Sequence, residues 1–354
     1  MATSMRSHSS SALPFNVFRD IEPLRTYRRG LLLERKTVGL VPTMGALHAG
    51  HLSLLRRAAQ ENTNVFVSVY VNPTQFGINE DLDSYPKTWE ADMDAIKGLD
   101  EEFAASNTKV PTAPLGRISA IFAPTTKIMY PTLPPTSAID GHGSFVTLTP
   151  ISTLLEGRSR PVFFRGVATV CMKLFNITAP DRVYFGQKDI QQTVVIRRMV
   201  QDFCIDTDVR IVPTEREPDG LALSSRNVYL GQRRRRVAVV LAAALNIAET
   251  QYAAGKRTRD EILRPALEFA HTEAEKQENL APGKRARFTI DYISLADPDS
   301  MEEIDEVKMT RGAVLSGAIV MQPAEDVKTD EDSGLGGGTL PVRLIDNILL
   351  KPEG

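Results

Sequence analysis

Short runs of β-branched and aromatic residues alternate with longer helix-compatible segments up to about residue 212. Runs of this length and composition are typical of strands buried on both faces of a sheet. Strands that alternate with helices predict an α/β fold with a doubly wound parallel sheet, and such sheets bind ligands at the carboxyl ends of their strands. The predicted strands are residues 37–41, 65–71, 120–122, 183–185 and 209–212.

The pattern changes near residue 214. Helix-period segments at 233–254 and 259–277 are followed by strand-like segments at 288–295, 313–320 and 342–349. We therefore expect one domain over residues 1–214 and a smaller α+β domain over 215–354, in keeping with a prior of about 150 residues per domain. Segments rich in Pro, Gly and charge predict loops at 98–117, 279–287 and 322–338, the last with five acidic residues and a Gly triplet.

The charge balance argues against a nucleic-acid partner. The chain carries 42 Lys and Arg and 44 Asp and Glu, a net charge of −2, so no electrostatic attraction favours nucleic acid or anionic lipid. We expect the four consecutive arginines at 233–236 to form a solvated helix face. No apolar run approaches the roughly 18 residues of a membrane span, so we expect no membrane association.

The cysteines and the N-terminus bear on location. Two cysteines without a C-x-x-C pair are typical of a reducing compartment, here the cytoplasm. The first 19 residues contain no acid and five serines. That composition leaves open either a mitochondrial transit segment or a frayed terminus.

The first motif is VPTMGALHAGHL, residues 41–52, directly after the first predicted strand. His48 and His51 lie three residues apart at a predicted helix start, where they share a face and where free N–H groups favour an anion. Gly45 lets a triphosphate approach the backbone, and the imidazoles can donate to phosphoryl oxygens. A zinc site is the weaker alternative because H-E-x-x-H and a third ligand are missing. Two solvent-facing histidines are the non-functional alternative.

The second motif, YFGQKDIQQ at 184–192, again follows a predicted strand. Lys188 is a mobile charge suited to phosphate, Asp189 can accept from ribose hydroxyls, and Gln192 lies one helical turn further on. The alternative is that Asp189 is a helix N-cap and that Lys188 and Gln192 lie on a solvated helix surface.

The third motif, DGLALSSRN at 219–227, lies at the expected domain junction. Ser224, Ser225 and Arg226 in series predict a phosphate clamp, and Gly220 supplies a flexible joint. A Ser-rich N-cap of the next helix is the alternative.

Weaker candidates follow the second predicted strand. Asn72, Gln75 and Tyr85 could present amides and a phenol to the same crevice, and Asp92 a metal-facing carboxylate. Arg160 could hold a carboxylate or phosphate, although a surface arginine is the default.

Taken together, PTMGALHAGH, YVNPTQF, DLDSYPKT, FGQKDIQQ and DGLALSSRN, in this order, closely resemble the pantoate–β-alanine ligase family. The resemblance covers residues 36–231 and 343–350. It implies a Rossmann-like N-terminal domain, a small C-terminal domain, a homodimer, and ATP with Mg²⁺. In the implied reaction, pantoate attacks the α-phosphorus of ATP, pyrophosphate leaves, and β-alanine attacks the pantoyl adenylate to give pantothenate and AMP.

The resemblance also implies residue roles. His48 and His51 would act on the phosphates, with His51 the proton donor, while Gln75 and Gln192 would hold pantoate. Lys188 would contact phosphate and Asp189 ribose. The expected catalytic residues are His48, His51 and Lys188, and the expected metal residue is Asp92. The expected substrate-binding residues are Asn72, Gln75, Tyr85, Arg160 and Gln192. The expected ATP-binding residues are Pro42, Met44, Gly45, His48, His51, Gly186, Gln187, Lys188, Asp189, Leu223, Ser224, Ser225 and Arg226.

The chain departs from the family pattern in three respects. Phe163 stands where many members have His, Glu215 stands where a small apolar residue is common, and the insertions near 98–118 and 322–340 have no counterpart in compact members. Alternative functions are a nucleotidyltransferase of the same H-x-G-H superfamily and a catalytically inactive ATP-binding protein. A class I aminoacyl-tRNA synthetase is disfavoured because KMSKS and a basic surplus are missing.

Overall fold

A six-stranded, fully parallel sheet forms the first part of the computed structural model, which describes residues 13–77, 82, 85–132 and 142–352. Its strand order is β1-β4-β3-β2-β5-β6. The chain leaves β2 in one direction for β3 and β4 and returns to its other side with β5, so β2 and β5 flank the point where the order reverses. The strands are β1 Asn16–Phe18, β2 Val38–Thr43, β3 Asn64–Val69, β4 Arg117–Phe122, β5 Arg182–Gly186 and β6 Asp208–Val212.

Both faces of this sheet are covered, which confirms the doubly wound α/β prediction. Neighbouring residues of one strand enter different cores, since Leu40 packs with helices α1, α6 and α7 while Val41 packs with α2 and α3. The helices of this part are α1 Ile21–Leu33, α2 Ala49–Glu61, α3 Trp89–Lys109, α4 Thr126–Met129, α5 Glu156–Ser159, α6 Phe163–Thr178 and α7 Ile190–Asp202.

A second, antiparallel sheet with the order β7-β8-β9 follows, and it has a core of its own with helices α9 and α10. The small α+β region expected from the sequence is therefore present. Its elements are α8 Gly231–Val237, α9 Val240–Ala253, α10 Arg259–Glu278, β7 Phe288–Ala296, β8 Ala313–Met321 and β9 Val342–Leu350. The loops predicted at 279–287 and 322–338 are also present.

The loop predicted over 98–117 is wrong over residues 98–109, because α3 continues to Lys109, whereas residues 110–116 form a loop as expected. Ile96, Leu99 and Phe103 recur at helical spacing and are buried, whereas Gly98 lies on the exposed side. The glycine and the charges are therefore surface features of a helix that packs on the sheet. Strand β1, a three-residue edge strand paired with β4, was not predicted.

The arginine run is only partly the predicted solvated face, because Arg236 is exposed whereas Arg233 and Arg234 are buried. Arg233 and Arg234 are 8% and 1% exposed. Arg233 pairs with Glu331, and Arg234 donates to the carbonyls of Leu230 and Leu340 at 3.0 and 2.7 Å. Glu331 and Leu340 lie in a loop about a hundred residues further on, so local composition does not reveal the burial.

Among the described residues, no helix has both the length and the apolar character needed to cross a membrane. Cys171 is buried and Cys204 exposed, and both are free thiols. Residues 1–12 of the N-terminal segment considered for targeting lie outside the described residues.

Candidate functional site

A cleft of about 630 Å³ lies at the carboxyl ends of β2 and β5 and extends to the second sheet. This volume suits a small-molecule ligand. The cleft brings most of the predicted site residues together: Pro42, Met44, His48, His51, Asn72, Gln75, Tyr85, Arg160, Lys188, Asp189, Gln192, Ser224, Ser225 and Arg226. The predicted residues that do not line it are Gly45, Gly186, Gln187, Leu223 and Asp92.

The turn between β2 and α2 depends on Gly45 and Asp92. Gly45 and Ala46 have φ of 87° and 51°, and a Cβ on Gly45 would lie 3.0 Å from Asp92 Oδ2. The buried Asp92 carboxylate accepts from the N–H groups of Ala46 and Leu47 at 3.0 and 2.8 Å. Asp92 therefore holds the turn through its two carboxylate oxygens and does not line the cleft. Its expected metal role stays a prediction.

The two histidines hydrogen-bond the backbone at the start of α2. His48 Nδ1 accepts from the Gly50 N–H at 3.1 Å, and the His48 N–H donates to His51 Nδ1 at 3.3 Å. The ring centroids lie 4.2 Å apart. Since each Nδ1 is an acceptor, the neutral rings carry their hydrogen on Nε2. The pair thus supplies two N–H donors to the cleft without carrying charge.

Burial keeps these rings neutral. It lowers the pKa of His48 to about 4, with the Lys188 charge contributing in the same direction. Burial followed by the proximity of His48 lowers the pKa of His51 to about 3. Asp189 opposes both shifts but is outweighed. At neutral pH the free protein therefore offers imidazole rather than imidazolium groups.

Lys188 and Asp189 lie in the 3-10 turn Gln187–Asp189 at the end of β5 and form an ion pair at 3.2 Å. The Asp189 side chain makes no N-cap hydrogen bond, which argues against the capping alternative. Strand β9 fixes the turn, because Asn347 Nδ2 donates to the carbonyls of Gln187 and Lys188 at 2.9 and 2.8 Å. Asn347 was missed as an individual residue, although it lies in the 343–350 segment that carries the resemblance.

The DGLALSSRN motif contacts the turn that follows β2. Ser225 Oγ donates to the Ala46 carbonyl at 3.2 Å, and Ser224 Oγ accepts from the Arg226 N–H at 3.2 Å. Ser224 is thus the N-cap of the 3-10 turn Ser225–Tyr229, as one alternative held. Ser225 and Arg226 also line the cleft that the histidines line, and the phosphate-clamp interpretation of this turn stays a prediction.

Asn72 differs from its predicted substrate-binding role. Its Oδ1 accepts from Tyr130 Oη at 2.7 Å and from Thr74 Oγ1 at 3.0 Å. Its Nδ2 donates to Gly166 O and to Gln75 Oε1, both at 3.1 Å. The two acceptor and two donor positions of the amide are thereby used, so Asn72 orients Gln75 and has no position left for a ligand.

Gln75 is the member of this network that faces the cleft. Because its Oε1 accepts from Asn72, its amino group is the part that it can offer to a ligand, and Nε2 lies 3.2 Å from Met44 Sδ. Gly166 permits the arrangement, since a Cβ there would lie 2.4 Å from the Thr74 carbonyl. Sequence reasoning missed Tyr130 and Gly166, which lie in no motif.

Arg160 lies in the cleft wall and not on the surface. Its guanidinium is 3.7 Å from the ring centroid of Phe163 and 3.8 Å from Glu156. Glu156 also contacts Arg343, which pairs with Asp291 at 2.6 Å. The Phe163 ring thus supports a cation through its face.

The remaining substrate candidates, Tyr85 and Gln192, also line the cleft. Tyr85 is buried edge-to-face against Phe76, with ring centroids 5.9 Å apart. Gln192 lines the cleft half-buried, whereas its neighbour Gln191 is buried and donates to the carbonyls of Ile151 and Leu154 at 2.8 Å. The two adjacent amides therefore have separate tasks, one toward the cleft and one toward the backbone.

Comparison with known proteins gives a consistent result. The family model described as pantoate-beta-alanine ligase matches residues 16–349. The pantothenate synthetase of Roseiflexus castenholzii is 44% identical to this chain over 333 residues, which cover 94% of the chain and 99% of that protein. The pantoate–beta-alanine ligase of Saccharomyces cerevisiae is 36% identical over 344 residues, with coverage of 94% and 99%.

Solved structures show the same likeness. Pantothenate synthetase from Thermus thermophilus superposes with a TM-score of 0.71 at 33% identity, covering 96% of this chain and all of that one (100%). The pantoate–beta-alanine ligase of Francisella tularensis, solved in complex with β-γ ATP and β-alanine, has a TM-score of 0.62 at 28% identity, with coverage of 95% and 97%.

Proposed function

The chain belongs to the pantoate–beta-alanine ligase family, and on that premise we propose that its cleft condenses pantoate with β-alanine through a pantoyl adenylate. A pantoate carboxylate oxygen bonds to the α-phosphorus of ATP as the bond to the pyrophosphate oxygen breaks. The amine of β-alanine then attacks the acyl carbon, loses a proton and expels AMP. The observation that carries the proposal is that His48, His51, Lys188 and Arg226 line one cleft although they come from three separate motifs.

Positioning and electrostatics can carry such a displacement without a protein nucleophile. We assign the Nε2–H groups of His48 and His51, together with the N–H groups that begin α2, to the phosphoryl oxygens. Lys188 supplies a fixed positive charge to the same oxygens, and Asp189 accepts from the ribose. Ser225 and Arg226 hold the departing pyrophosphate. The low pKa of His51 supports a neutral hydrogen-bond donor in the free protein, not a preformed imidazolium.

We assign pantoate, the acid substrate, to the part of the cleft lined by Gln75, Gln192 and Arg160. The amino group of Gln75 can donate to a pantoate oxygen, Gln192 offers a second amide, and the Arg160 guanidinium can face a carboxylate. This arrangement favours a small hydroxy acid over an apolar ligand, because amide and guanidinium N–H groups in the cleft wall donate hydrogen bonds to oxygen. Tyr85 lines the same cleft.

Magnesium is proposed to enter as part of the ATP substrate. No group of three His, Cys, Asp or Glu residues suited to a metal occurs in the described part of the chain. The nucleotide phosphates would therefore be its main ligands, and the ion would supply charge neutralisation on the phosphates. Asp92 is not needed for this.

We also propose that residues 215–354 act as the smaller domain that closes over the site, supported by its separate core and by the contact of Ser225 with Ala46. A homodimer is proposed from the family resemblance, and light scattering of the purified chain would test it. Two free thiols support a reducing compartment, either the cytoplasm or the mitochondrial matrix, which cell fractionation would distinguish.

The deciding experiment measures pyrophosphate, AMP and pantothenate from Mg·ATP with pantoate, β-alanine, both or neither. Pantothenate and AMP formed only with both acids present would support the ligase. Pantoate-dependent exchange of labelled pyrophosphate into ATP without β-alanine would support the adenylate. Pyrophosphate release independent of both acids would favour a nucleotidyltransferase, and nucleotide binding without release would favour an inactive binding protein.

A further inference from the structure

The connection between β8 and β9 is far longer than a hairpin requires, and its residues 322–339, named here the acidic loop, pack beside the proposed phosphate clamp. We propose that this loop is a brace that positions Ser225 and Arg226 for the triphosphate. Glu331 and Gly334 are its positioning residues. The inference rests on the assignment of the Ser225–Tyr229 turn to ATP, made above.

A partly buried ion pair between Arg233 and Glu331 holds the acidic loop in place. Arg233 donates to both oxygens of Glu331, from Nε and Nη2 at 2.7 Å, and to the Glu325 carbonyl at 2.8 Å. Arg233 is 8% exposed and the Glu331 side chain 17%. A bidentate, partly buried pair of this kind fixes direction as well as distance. Arg285 and Arg287 hold the carboxylate of Glu325 in turn.

Backbone contacts join the acidic loop to the C-terminal end of the Ser225–Tyr229 turn, which is named here the clamp turn. The Leu335 N–H donates to Val228 O at 2.8 Å, and the Gln232 N–H donates to Asp332 O at 2.9 Å. Arg234 links the turn to the residue that directly follows the acidic loop, since it donates to Leu340 O at 2.7 Å and contacts Tyr229 O. The turn is thus held at Val228 and Tyr229 from the side of the acidic loop and at Ser225 by Ala46.

Two glycines make this contact possible. A Cβ on Gly231 would lie 2.3 Å from the Ser333 carbonyl carbon, and one on Gly334 would lie 2.6 Å from the Gly231 nitrogen and the Tyr229 carbonyl. Both have positive φ, 61° and 81°. The two backbones therefore meet without intervening side chains, so any displacement of the acidic loop is transmitted to the clamp turn.

The acidic loop also contains a matched control. Gly336 has a φ of 78°, nearly that of Gly334, but a Cβ there would meet nothing within 4 Å. Gly334→Ala and Gly336→Ala therefore introduce the same backbone strain, and only the first pushes the loop away from the turn. Glu331→Gln has its own control in Glu303→Gln, which breaks the more exposed pair of Glu303 with Arg259 in the same part of the chain.

The test measures the Kd of a non-hydrolysable ATP analogue and the KM values of the three substrates, with melting temperatures for every variant. We expect Gly334→Ala and Glu331→Gln to weaken nucleotide binding by about tenfold and to leave the KM of pantoate and β-alanine unchanged. Gly336→Ala and Glu303→Gln should bind like the unmodified chain.

Equal nucleotide affinity of Gly334→Ala and Gly336→Ala would overturn the brace. If Gly334→Ala does not fold, the comparison of Glu331→Gln with Glu303→Gln decides in the same way. The analogue Kd does not depend on amide formation. A failed ligase assay with intact nucleotide binding would therefore count against the proposed function and not against the brace.

Discussion

The backbone N–H of His48 donates to Nδ1 of His51, and this hydrogen bond determines which nitrogen of His51 can carry a proton toward the cleft. The donor to a phosphoryl oxygen is then Nε2–H of a neutral ring. A neutral donor stabilises charge that develops on oxygen and needs no ionisation in the working pH range.

We expect His51→Ala to lower kcat by about 10²–10³ with the fold intact. Exposed His271 on α10 provides the control, and His271→Ala should leave kcat unchanged. Steady-state kinetics with saturating substrates, combined with circular dichroism, measures both. Near-normal turnover of His51→Ala would remove His51 from the mechanism. The same loss is expected for Lys188→Ala.

The pH profile of kcat/KM for ATP should show no ionisation from this pair between pH 6 and 8, because the pKa values of His48 and His51 are lowered to about 4 and about 3. An inflection near 6.5 in the unmodified chain that disappears in His51→Gln would contradict the neutral state. Rates should be recorded at constant ionic strength, with ATP well below its KM.

The same lowered pKa values predict acid destabilisation. Below about pH 6.5 the unfolded chain binds a proton at each histidine while the folded chain does not, so stability falls as the pH decreases toward about 4 and about 3. The slope is of the order of 1 kcal/mol per pH unit for each histidine. Urea unfolding between pH 7 and 4.5 should show a smaller slope for His51→Asn than for the unmodified chain. Equal slopes would show that His51 is not buried in its neutral form.

Asn72→Asp separates orientation from binding. Aspartate can still accept from Tyr130 and Thr74 but cannot donate to Gln75 Oε1, so the Gln75 amide loses its fixed direction. We expect kcat/KM for pantoate to fall by about 10²-fold while KM for ATP stays near its original value. Thr74→Ser keeps the hydroxyl donor and is the control. A parallel loss for both substrates would indicate general damage to the site.

The sequence predicted the elements whose residues carry their own signal. Leu40 and Val41 are both buried, on opposite faces, and an uninterrupted apolar strand of this kind is recognisable without its neighbours. Because β2 and β5 are adjacent, the motifs that follow them had to meet at one edge. The positions of His48 and Lys188 in one cleft follow from this rule.

Features that depend on distant partners could not be predicted. Arg233 is buried because Glu331 and carbonyls from another loop surround it. The hydrogen-bonding positions of the Asn72 amide are all used because Tyr130 donates to it and Gly166 accepts from it. Both facts depend on tertiary contacts that no local pattern encodes. In α3, the exposed Gly98 and nearby charges concealed the buried helical period.

Asp92 offers the last prediction, because its two possible roles differ in their response to magnesium. Its carboxylate accepts from Ala46 and Leu47 through separate oxygens, whereas the amide of Asp92→Asn has only one acceptor oxygen and turns its amino group toward the second N–H. The turn before His48 should then move, and we expect kcat/KM for ATP to fall by about tenfold. Asp94→Asn, at an exposed position on the same helix, should have no effect. Titration with Mg²⁺ at fixed ATP distinguishes the roles: a displaced turn leaves the Mg²⁺ midpoint unchanged, whereas a lost metal ligand would raise the midpoint and allow excess Mg²⁺ to restore activity.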